Sequence, residues 1–132
     1  MLRLADTSVR LYRKKNGKVS FKLRSYLMID TNIGFRLSSY LKDISCMLTL
    51  PSGEVIAFDE ISFSEGLICK HQLNTMVHDF WASASADIKE IRNGVGKLRI
   101  DYRISFTGHE TEEPESLETV VPLIRRTPRD VL

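Results

Sequence analysis

The sequence predicts an α+β fold dominated by β structure: an antiparallel β-sandwich or curved sheet of about six to eight strands, with one amphipathic helix at about 75–92 packed on it. Three observations carry this expectation. Long runs alternate apolar and polar residues, two glycine-containing triplets interrupt them where hairpins would turn, and a single stretch spaces its apolar residues by three and four. At 132 residues the chain reads as one domain, 1–132, with a polar loop at about 107–118 and a basic C-terminal tail at about 125–132.

The first unit is a hairpin. Val19, Phe21, Leu23, Ser25, Leu27 and Ile29 alternate with Ser20, Lys22, Arg24, Tyr26 and Met28, so one face meets the core and the other meets water. Val9 and Leu11 form a shorter partner strand. A two-residue Asn16-Gly17 loop would set Leu11 opposite Lys22 and turn core residues outward. A three-residue Lys15-Asn16-Gly17 loop, with Gly17 left-handed, pairs Leu11 with Phe21 and Val9 with Leu23, and is preferred.

Residues 33–41 fit either a bent strand or a short helix. Ile44, Cys46, Leu48 and Leu50 alternate again before Pro51-Ser52-Gly53. A three-residue turn there, with Gly53 left-handed, pairs Leu48 with Ile56 and Cys46 with Phe58. Ile61 and Phe63 suggest a further short strand.

In residues 75–92, Val77, Phe80, Trp81, Ala84, Ile88 and Ile91 form the stripe of an amphipathic helix, with Asn74 as N-cap and Asn93-Gly94 at its end. Phe80 and Trp81 are its expected anchors on the sheet. Leu98, Ile100, Tyr102, Ile104 and Phe106 restore a strand. A last strand, Thr119–Ile124, contains Pro122, which argues for an edge position because proline lacks the N–H that a ladder needs.

Net charge is only +2, but it is unevenly placed. Between Asp6 and Asp30 stand seven bases and no acid, leaving 12 bases against 17 acids elsewhere. Five of those acids are Glu110, Glu112, Glu113, Glu115 and Glu118. Parity in the hairpin gathers Arg10, Tyr12, Lys14, Lys18, Lys22, Arg24 and Tyr26 on its outer face, and these form the candidate interaction patch. Cations beside rings suit phosphates, bases or anionic headgroups. Alternatively the lysines keep a solvated face soluble, or the patch meets the acidic loop of another copy in a head-to-tail contact.

No catalytic, cofactor or metal set is predicted. Cys69, His71 and His78, with His109 and Cys46 elsewhere, lack any zinc spacing. There is no G-x-S-x-G elbow and no glycine-rich phosphate loop. Asp59-Glu60 and Glu112-Glu113 are adjacent in sequence, as in turns and solvated runs, rather than set across a cleft. No apolar run reaches the roughly 18 residues of a transmembrane helix, and Met1–Asp6 has no apolar leader segment. With two cysteines in no framework, free thiols and a cytoplasmic setting are expected.

Lys70-His71-Gln72-Leu73-Asn74 before the expected helix, and Arg92-Asn93-Gly94-Val95-Gly96 after it, resemble small matrix proteins of negative-strand RNA viruses. The resemblance covers under a quarter of the chain and implies a self-assembling structural protein without assigning any functional residue. The expected function is therefore a non-enzymatic structural or interaction domain. A protein partner or self-association is the leading expectation, nucleic-acid or anionic-lipid binding the alternative, and a ligand-binding or enzymatic sandwich a distant one.

Overall fold

The structure is a computed structural model and describes residues 2–30, 40–63, 67–68, 75–90, 92–105 and 114–126. Nine strands follow one another: β1 (Leu2–Arg13), β2 (Val19–Asp30), β3 (Tyr40–Thr49), β4 (Val55–Ala57), β5 (Glu60–Phe63), β6 (Leu67–Ile68), β7 (Thr75–Ala86), β8 (Gly94–Ser105) and β9 (Glu115–Arg125). They form one mixed sheet in the order β4-β3-β8-β9-β1-β2-β7-β5, with β6 also paired to β7. Every neighbour is antiparallel except β1 and β9, which run parallel.

The sheet curls into a half-barrel. Its two ends, β4 and β5, are successive in the chain, with Phe58 and Asp59 between them. The Phe58 N–H donates to the Cys46 carbonyl at 3.1 Å, and the Asp59 N–H donates to the Ser83 carbonyl at 3.0 Å. This link straps β3 to β7 across the open side. The inward side chains, among them Phe21, Leu23, Leu27, Leu48, Phe80, Leu98, Ile100 and Val121, make one buried cluster. Each fully buried large apolar side chain is worth roughly 1.5–3 kcal/mol, so this interior drives the curl.

Both predicted turns form as expected. Leu11 pairs with Phe21 and Val9 with Leu23, and Gly17 has φ 87°. The Lys14 and Lys18 backbones close the loop, Lys14 N–H donating to Lys18 O at 2.8 Å. Leu48 pairs with Ile56, Gly53 has φ 92°, and Phe58 reaches Cys46 as the register requires.

The α+β class, the sandwich and the helix are overturned: the described residues contain no helix. Thr75–Ala86 is strand β7, in register with β2 from Thr75↔Asp30 to Ala86↔Val19. The same residues carry a period of two as well as the helical one. His78, Phe80, Ala82 and Ala84 are buried, while Trp81 and Ser85 are exposed and Asp79 and Ser83 lie between the two classes. A full-length ladder along β2 overrides the modest helix preference of alanine. Trp81, expected as a core anchor, faces outward at 47% exposure, and Asn93-Gly94 opens β8 rather than ending a helix. Asn74, Ile91 and most of the undecided 33–41 segment lie outside the described residues.

Pro122 is not on an edge strand, since β9 sits between β8 and β1. Its ladder to β1 covers only Leu123–Arg125, so the proline lies just outside the stretch that needs a donor on that side. The expected loop is also shorter, because Glu115–Glu118 already belong to β9.

Two bulges shape the long strands. In β1 the register slips between Ala5 and Ser8, and in β3 between Lys42 and Ser45. Each slip holds an aspartate at positive φ, Asp6 at 51° and Asp43 at 52°. The first changes the inward parity of β1, from Leu2 on one side to Val9 and Leu11 on the other.

Candidate functional site

The hairpin register decides which way each base points. With Val9, Leu11, Val19, Phe21, Leu23 and Leu27 buried, the alternate positions Arg10, Tyr12, Lys22, Arg24 and Tyr26 lie on the outer face of the half-barrel. Arg10 stands opposite Lys22 across β1–β2. On the other side of β2, Lys22 stands opposite Ser83, Arg24 opposite Trp81 and Tyr26 opposite Asp79.

Arg10, Tyr12, Lys22, Arg24, Trp81 and Arg126 converge on a shallow depression of about 250 Å3. Arg126 arrives from the chain after β9, held there by its N–H, which donates to the Leu11 carbonyl at 2.7 Å. A second depression of about 220 Å3 adjoins it, lined by Tyr12, Lys14, Ser20 and Lys22 on one bank and by Asp59 and Glu60 on the other. There the Lys14 ammonium donates to Ser85 Oγ, and Ser83 Oγ donates to Glu60 Oε2 at 3.3 Å. Lys18 lies at the turn and Tyr26 at the far end of the same face, roughly 26 Å apart along β2 at ~3.3 Å per residue, and neither lines the first depression.

Among the described residues, no ion pair joins Arg10, Lys14, Lys18, Lys22 or Arg24 to a carboxylate. Ion pairs occur elsewhere, such as Arg99 with Asp101 at 3.1 Å and with Glu118 at 3.9 Å, and Arg103 with Asp43 at 3.7 Å. Arg13 belongs to the hairpin but not to the patch. Its guanidinium donates to the carbonyls of Gly17 at 2.8 Å, Ile88 at 3.2 Å and Lys89 at 3.0 Å, tying the turn to the chain after β7.

Two residues at the depression were absent from the sequence expectation. The helical reading of about 75–92 places Trp81 in the core, whereas the His78-Phe80-Ala82-Ala84 alternation in the same stretch turns it outward. Arg126 belongs to the basic tail expected at about 125–132, but its place beside the hairpin depends on β9 docking beside β1.

The other side chains weighed for chemistry are elsewhere. Cys46 is a buried free thiol whose pKa burial, reinforced by the charge of Asp101, pushes from 9.0 to about 12, so it is a poor nucleophile. His78 is buried, with its ring edge-on to Phe63 at 6.1 Å between centroids. Cys69, His71 and His109, and Glu110, Glu112 and Glu113 of the acidic run, lie outside the described residues. Among the described residues no three His, Cys, Asp or Glu side chains gather closely enough to hold a metal ion, and no helix is long and apolar enough to cross a membrane.

Comparisons with known protein families, with characterised proteins and with solved structures find no match for this chain.

Proposed function

We propose that this chain is a non-enzymatic binding module that engages nucleic acid through the outer face of β1, β2 and β7. The observation that supports it best is the convergence of Arg10, Lys22, Arg24 and Arg126 on one depression shared with Tyr12 and Trp81. Like charges set side by side oppose folding, and their proximity is relieved when phosphates neutralise them. Four phosphate contacts to a single strand would give log K a slope of about −3 against log salt.

The test is titration of a labelled oligonucleotide between about 50 and 200 mM salt. Binding that weakens log-linearly, and disappears in an Arg10→Glu/Lys22→Glu/Arg24→Glu variant that still folds, supports the reading. Absence of binding at the lowest salt, or unchanged binding by that variant, removes it.

Self-association is a second reading, favoured by apolar side chains on the same outer face, along β4, β8 and β9. Val95 is 55% and Val120 63% exposed, and Val95 stands opposite Pro122 in the β8–β9 ladder, with Val55 exposed on β4. Exposed apolar side chains grouped on one face suit contact with another copy. Sedimentation of the chain alone at low and high salt tests it: assembly that persists at high salt supports contact through this face, and a monomer at both removes it.

A further inference from the structure

We propose that Trp81 is a base-stacking platform, so that the ligand of the cationic face is single-stranded rather than duplex nucleic acid. This rests on the nucleic-acid reading and specifies it. Trp81 is the only tryptophan of the chain, and it lies on β7, next to the edge strand β5, with nearly half its surface exposed. Among the described residues no aromatic ring stacks on it. Exposing an indole costs apolar burial that a core position would recover, and here Arg24 lies opposite it across β2–β7.

The neighbours determine the class of ligand. Trp81 shares its depression with Arg10, Lys22, Arg24 and Arg126, and with a second ring, Tyr12. Tyr12 is opposite Ser20, and Ser20 is opposite Ser85, four residues along β7 from Trp81. Strand spacings therefore set the two rings about 16 Å apart, with Arg10 and Lys22 between them. A strand with bases on the two rings would lay its phosphates over those cations. Paired bases offer no free faces to a ring on the outside of a curled sheet. An anionic bilayer fits less well. Trp81 lies within strand β7, paired to β2 on one side and β5 on the other, and not on a protruding loop that would insert into a bilayer.

The test uses the intact chain and the fluorescence of Trp81 itself. The probes are an oligo(dT) of about eight nucleotides, an abasic oligomer with the same phosphates, a duplex of the same length, and phosphatidylserine-containing vesicles. The expected result is quenching by oligo(dT), with the abasic oligomer binding about tenfold or more weakly and without quenching. Trp81→Ala should lower oligo(dT) affinity to the abasic level while leaving the salt slope unchanged, and Trp81→Phe should retain most of it. Equal binding of oligo(dT) and the abasic oligomer overturns the stacking role but leaves the nucleic-acid reading standing. Preference for the duplex overturns the single-strand assignment alone. Binding to vesicles without binding to any oligomer, or binding to no probe, overturns both. The comparison of oligomers on the unaltered chain needs no variant, so a misfolded Trp81→Ala protein would not blunt it.

Discussion

Arg10 and Lys22 occupy directly opposed positions in the β1–β2 ladder, two cations on one face with no carboxylate paired to either among the described residues. Opposed like charges destabilise a sheet pair by about 0.2–1 kcal/mol. Lys22→Glu should therefore raise stability at low salt by roughly that amount and lose the gain at high salt. The same variant should bind oligonucleotide at least tenfold more weakly. Chemical denaturation and anisotropy on one preparation check both. A variant that loses stability as well as affinity would show that the pair is not strained.

Arg13 should behave in the opposite way. Its guanidinium is committed to three carbonyls, those of Gly17, Ile88 and Lys89. Arg13→Met should cost about 1–2 kcal/mol of stability and change oligonucleotide affinity less than twofold. Equal losses of affinity in Arg13 and Lys22 variants would mean that overall charge, rather than the outer face, governs binding.

The β1 bulge gives a pair of changes with opposite signs. Ser25 is buried, with its hydroxyl 2.7 Å from Thr7 Oγ1 and 3.2 Å from the Ala5 carbonyl, so it satisfies the polar groups at the bulge. Ser25→Ala should cost about 1–2 kcal/mol because those groups remain buried without it. Asp6, at φ 51°, holds a conformation that glycine adopts more readily. Asp6→Gly should stabilise by up to about 1 kcal/mol. Urea denaturation of both variants gives the signs directly.

Gly96 is required by proximity. A Cβ there would lie 2.9 Å from Leu48 Cδ1 and 3.1 Å from the Thr49 carbonyl oxygen. The leucine methyl can move, but the carbonyl belongs to the β3 backbone. Gly96→Ala should cost about 1–3 kcal/mol through overpacking, measured as a lower midpoint in denaturant. An unchanged midpoint would mean that β3 and β8 can separate without penalty.

Alkaline pH should weaken the fold. Burial pushes the Cys46 thiol from 9.0 to about 12, with the charge of Asp101 adding to it. Burial, then the hydrogen bond and charge of Glu115, push the Tyr102 phenol from 10.0 to about 12 against an opposing Leu2 backbone hydrogen bond. Between these limits the unfolded chain binds fewer protons than the folded one, so stability falls as pH rises above about 9. Cys46→Val should remove the earliest part of that decline. Thermal melts from about pH 7 to 11 test it, and a flat profile would contradict the burial of both groups.

Local pattern was sufficient where a turn and an alternation specified the same register. Gly17 and Gly53 sit where only a left-handed residue closes a three-residue loop without turning the core outward, so both hairpins could be read without coordinates. The outward placement of Arg10, Tyr12, Lys22, Arg24 and Tyr26 followed from the same parity. The stretch at about 75–92 reads as a helix because its apolar residues satisfy two periods at once, and nothing local says that β2 needs a partner on that side. The start of β1 does not show as a strand in the sequence because the Asp6 bulge shifts its parity between Leu2 and Val9.

By itself the sequence determined the β-rich character, both glycine turns and the cationic side of the first hairpin, because side-chain alternation and φ > 0 are properties of a few neighbouring residues. Tertiary structure alone decided that residues 75–86 are a strand, that β9 lies between β8 and β1, and that Trp81 and Arg126 join Arg10, Lys22 and Arg24. Those outcomes depend on which distant strand supplies the missing backbone hydrogen bonds. That choice is made by the closure of the whole sheet around one core.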